Sequence, residues 1–136
     1  MLVALALAGC AGPPAPPPNP LVGTWANTDN QTITIRPDTV VLNQPNGQSV
    51  ALGGDVCGGN FSFAYASESS RALGQLLPRQ PDLSRNLSAL LVAPTYPVAR
   101  LHCDRGDQTY VLLNDRQMVA IYRDGDIGAI ERLARQ

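Results

Sequence analysis

Residues 11–20 hold six of the chain's twelve prolines, in the run Pro13-Pro14-Ala15-Pro16-Pro17-Pro18-Asn19-Pro20. Each proline fixes φ and removes a backbone donor, so this stretch can enter neither a helix interior nor the middle of a sheet. It reads as an extended polyproline-II spacer rising ~3.1 Å per residue. The spacer divides the 136-residue chain into a short apolar segment at 1–9 and a stretch at 21–136 that has the size of one domain. A multidomain enzyme is thereby excluded.

Composition narrows the chemistry further. Charged residues make up 15% of the chain and its net charge is −1, which does not suit a nucleic-acid partner. All ten basic residues are Arg, so Schiff-base, phosphate-loop and kinase lysines are ruled out. With no G-x-S-x-G, paired acids or Gly-rich phosphate loop, the sequence reads as a non-enzyme that needs no cofactor.

The apolar segment ends Leu7-Ala8-Gly9-Cys10, and this resembles the lipobox of bacterial lipoprotein signal peptides. The resemblance implies cleavage before Cys10, loss of 1–9 as a signal peptide, and acylation of Cys10 on its thiol and new amino group. Cys10 would then be the lipid anchor, and 10–20 the linker that holds the domain off the membrane. Nine apolar residues fall well short of the ~20 that span a bilayer. Ala11, rather than Asp, after the anchor implies outer-membrane delivery with the domain facing the periplasm. With Cys10 acylated, Cys57 and Cys103 are the cysteines that remain of three, and an oxidising periplasm would pair them. A nucleophile built from Cys57 and the sole histidine, His102, has no third residue to orient it, and the three side chains lack the C-x-x-C spacing of a metal site.

Beyond residue 21 the chain alternates β-branched runs with turn chemistry. Strands are expected at 22–25, 32–35, 39–42 and 48–52, the last two joined through Asn46-Gly47. Phe61, Phe63 and Tyr65 alternate with small residues and should share one core-facing side. The period then changes. Residues 67–77, capped by Ser67, and 82–91, capped by Asp82, read as two short helices. Leu83, Leu87, Leu90 and Leu91 form a stripe on the second. This insertion at about 67–91 could act as a lid over a barrel mouth or as a plug, and four leucines on one stripe favour the plug. Strands return at 98–103, 108–113 and 117–122, and 127–133 is taken as a closing strand. Arg105-Gly106-Asp107 and Arg123-Asp124-Gly125-Asp126 read as turns between them. The fold class is mainly β: a small antiparallel up-and-down barrel of about eight strands with a two-helix insertion.

Gly23-Thr24-Trp25 opens the domain and resembles the G-x-W motif of lipocalins and related calycin barrels, in which the Trp closes the barrel base. The layout is also similar to that of bacterial metalloprotease inhibitors, small periplasmic barrels with one disulfide. In those, however, the first cysteine follows soon after the Trp and the helical insertion is missing. The expected function is a membrane-tethered, non-catalytic binding module for a small apolar ligand or an envelope protein partner. Trp25, Phe61, Phe63 and Tyr65 are the expected ligand-binding residues. A tethered inhibitor of a periplasmic hydrolase and a structural envelope protein without ligand are the alternatives.

Overall fold

A computed structural model describes residues 19–104 and 106–136. The lipobox residues with Cys10, the prolines before Asn19, and Arg105 of the Arg-Gly-Asp turn lie outside the described residues.

Among the described residues, nine antiparallel strands form one sheet, in line with the expectation of about eight. They are β1 (Gly23–Ala26), β2 (Thr32–Ile35), β3 (Val40–Asn43), β4 (Ser49–Ala51), β5 (Phe61–Ser69), β6 (Thr95–Cys103), β7 (Gly106–Asn114), β8 (Gln117–Asp124) and β9 (Ile127–Arg135). The order across the sheet is β4-β3-β2-β1-β9-β8-β7-β6-β5. The 127–133 segment is thus a strand, and it pairs with both β8 and β1. Because the first strand pairs with the last, the layout is barrel-like, but the sheet is not closed: β4 and β5 are its edges.

Side chains and one covalent bond span the gap between those edges. After β4, residues Leu52–Val56 make a single π-type turn in which the Cys57 N–H donates to the Leu52 carbonyl at 3.1 Å. The Phe61 ring lies directly over Gly53, where a Cβ would come within 2.6 Å of it, so a larger residue there would displace the ring. Tyr65 Oη donates to the Arg36 carbonyl at 2.5 Å. A disulfide joins Cys57 to Cys103, with Cα atoms 5.6 Å apart, and ties the π turn to the end of β6.

The sheet carries a core on each face. Trp25, Ile33, Ile35, Leu101, Tyr110, Met118 and Leu133 pack on the inner face. On the outer face, Val98, Val111, Val119 and Ile121 meet Leu73, Leu77, Leu87 and Leu91 from two helices, α1 (Ser70–Gly74) and α2 (Pro81–Leu90). The insertion therefore neither plugs nor lids the sheet; it covers the outside. The reason lies in β7 and β8. Thr109 to Leu112 and Met118 to Ile121 are buried at every position, which requires cover on both faces. Each fully buried leucine, such as Leu73 or Leu87, stabilises the layer by ~1.5–3 kcal/mol.

The helix starts differ slightly from expectation. β5 continues to Ser69, so Ser69 rather than Ser67 caps α1, its Oγ accepting from the Ala72 N–H at 3.0 Å. Helix α2 begins with Pro81, which suits a first turn that needs no N–H, and Asp82 sits inside that turn rather than capping it. Ser84 Oγ donates to the Gly74 carbonyl at 2.7 Å and locks the two helices together.

Candidate functional site

One end of the inner core is shut. Trp25 is fully buried there, and its Nε1–H donates to the Leu21 carbonyl at 3.0 Å. Toward the other end, the inward side chains do not fill the space. A cavity of about 320 Å³ is lined by Leu52, Val56, the Cys57–Cys103 disulfide, Leu101 and Ile127. A second, of about 250 Å³, lies nearer Trp25 against Ile33, Leu42, Tyr110 and Leu133. Leu52, Gln108 and Tyr122 line both, so the two adjoin. A small residue helps leave this room: Ala129 on β9 borders the larger cavity. This cavity opens to solvent beside Val56, 41% exposed, and Ile127, 74% exposed, with Arg123 and Asp124 also at its border.

Comparison of the chain with protein families, curated proteins and solved structures returned no match.

A polar group faces the inner cavity. Glu131 accepts from Tyr122 Oη at 3.1 Å on one oxygen and from Asn27 Nδ2 at 3.1 Å on the other. The 27–31 turn aims that amide, because Asn27 Oδ1 accepts the N–H groups of Asp29 (2.9 Å) and Gln31 (3.0 Å), leaving its NH₂ to point at Glu131. Tyr110 Oη donates to Gln108 Oε1. Burial pushes the Tyr122 and Tyr110 hydroxyls well up, and the Glu131 charge raises both further, so both stay protonated donors at neutral pH.

A second hollow, of about 280 Å³, lies on the outer face between Leu76 and the β6–β8 ladder. Asp107 accepts there from His102 and, at 2.6 Å, from Arg123, while Arg100 pairs with Glu68 at 3.4 Å. Burial pushes the Asp107 carboxyl up, but the hydrogen bonds from His102 and Arg123 outweigh it and hold the group below its ordinary range. Each Arg faces a carboxylate on a neighbouring strand, so the charges there are paired across the strands.

The sequence-derived site residues fall as follows. Phe61, Phe63 and Tyr65 share the inward side of β5, as their alternation requires. Phe63 and Tyr65 meet edge to face at 5.2 Å and pack against the inner core together with Trp25. Phe61, expected in that core, is 37% exposed at the sheet's edge. None of the four lines either inner cavity. A ligand lying between this aromatic stripe and the leucines of α2 is excluded, because the sheet itself separates them. Cys57 and Cys103 are brought together. Sequence reasoning missed Leu52, Gln108, Tyr122, Ala129 and Glu131. The signal for the last two was there: in the expected closing strand 127–133, residues 127, 129, 131 and 133 alternate onto one face.

Proposed function

We propose that the domain is a non-catalytic binding module that takes a small, largely apolar ligand into the inner cavity, held at the cell envelope by an acylated Cys10 and the proline spacer. The observation that carries this reading is the pair of adjoining cavities, the larger lined mainly by apolar side chains and opening beside Val56 and Ile127. Ligand sites are commonly concave, mostly apolar, and equipped with few polar groups. The Gly23-Thr24-Trp25 likeness to lipocalins supports the same reading, since Trp25 lies at the shut end of the core. The anchor rests on the likeness of Leu7-Ala8-Gly9-Cys10 to a lipobox, and an acyl anchor with more than one chain gives stable attachment.

Native mass spectrometry of the protein purified from its own envelope tests the binding. A mass increment from one small molecule is expected, and a bound protein in its place overturns the ligand reading. The anchor is tested by fractionation: Cys10→Ser should leave the membrane or stay unprocessed. A cleaved Cys10→Ser protein that remains in the membrane would contradict it.

A further inference from the structure

The smaller inner cavity is bordered by a carboxylate, Glu131, and among the described residues no cation lines it; Arg123, at the border of the larger one, pairs with Asp107. Glu131 is half-buried on the inward side of β9, between Ala129 and Leu133. The ion pairs among the described residues all lie elsewhere. A carboxylate offers about four acceptor positions, and Tyr122 and Asn27 take two of Glu131's. Around it the cavity is half polar, with Asn27, Gln108 and Tyr122, and half apolar, with Ile33, Leu42 and Leu133, so an occupant meets a charge at one end and apolar surface at the other.

Resting on the binding reading above, we infer that the ligand is an amphipathic cation, whose ammonium or guanidinium head donates to Glu131 and whose apolar body fills the chamber bordered by Leu52, Leu101 and Ile127. The head enters first and the body follows toward the rim. The 320 Å³ chamber, lined mainly by apolar side chains, has room for an alkyl chain. The 27–31 turn and Tyr122 fix the carboxylate in place, so little order is lost when the head arrives. An anionic head in the same position meets like charge, and a neutral one forfeits the charge assistance.

Calorimetric titration of the full chain at pH 7 with decylamine, decanol and decanoate tests this. The amine is protonated at that pH, as a lysine amine is. Decylamine should bind about tenfold or more tightly than either of the others, and Glu131→Gln should erase the preference while all three ligands still bind. The wild-type head-group comparison stands even if the variant folds poorly. Equal binding of the three, or tighter binding of decanoate, overturns the inference and leaves the binding module intact. Failure of all three to bind overturns both.

Discussion

Arg135 stacks on Trp25, its guanidinium carbon 4.2 Å from the ring centroid, and so joins the last strand to the first at the shut end of the core. The same side chain donates to the carbonyls of Pro20 (2.5 Å), Val22 (3.3 Å) and Asp115 (2.7 Å). One guanidinium thus gathers the domain's entry, its first strand and the β7–β8 turn. Arg135→Ala should lower stability by about 2 kcal/mol, from the lost cation–π contact and charge-assisted hydrogen bonds. Arg135→Lys should recover only part, because an ammonium lacks the planar fork that reaches several carbonyls. Urea unfolding followed by the fluorescence of the single tryptophan measures both; an unchanged midpoint for Arg135→Ala would refute this role.

The Cys57–Cys103 bond spans 46 residues and fastens the π turn across the open edge. In the chain-entropy account such a loop stabilises the fold by about 4 kcal/mol, and the double Ser variant should lose an amount in the ~2–5 kcal/mol range. Thermal unfolding with and without reductant gives the comparison. If reduction leaves the melting temperature unchanged, the bond adds nothing to the closure of this edge.

Leu87 is fully buried in the outer core. Leu87→Ala should cost about 2–5 kcal/mol and leave ligand affinity untouched, since the sheet lies between it and the cavity. A variant that folds stably but loses affinity would mean that the helices contribute to the site.

Much of this architecture was legible in the chain, and its failures have physical causes. The turns at Asn46-Gly47 and Asp115-Arg116 separate strands as their backbone preferences suggest, but Gly106 and Asp107, read as turn, pair with Cys103 and His102 inside β7, and Arg123 and Asp124, also read as turn, belong to β8. The leucine stripe on α2 announced a buried face but not which surface it meets. That information sat in the unbroken apolar runs of β7 and β8, whose residues need cover on two sides. Phe61 obeyed the period-two rule, yet an edge strand has a neighbour on one side only, so the period fixed its direction and left its burial open. The cavity was illegible because it depends on what small residues such as Ala129 fail to fill across the sheet.

Asp107 gives the fold an acid-sensitive element. Its carboxyl is held below its ordinary value of 3.8 in the folded protein, so the unfolded chain takes up the proton first as pH falls. The stability that it contributes is therefore complete above pH 3.8 and is lost as pH drops from there through the folded value. Asp107→Asn should melt lower than wild type at pH 7, and the difference should shrink toward pH 3. A constant difference across that range would show that the His102 and Arg123 contacts act without the charge.

The cavity itself is tested most directly by dye uptake in a variant that fills it. Ala129 faces the larger chamber, so Ala129→Phe should occupy that space without touching the outer core. Titration of the purified chain with Nile red, a neutral apolar dye, should show saturable uptake at one site per chain, and Ala129→Phe should abolish it while the melting temperature holds. Absence of uptake in the wild type, or equal uptake by the filled variant, would contradict the claim that the inside of this sheet is a binding site.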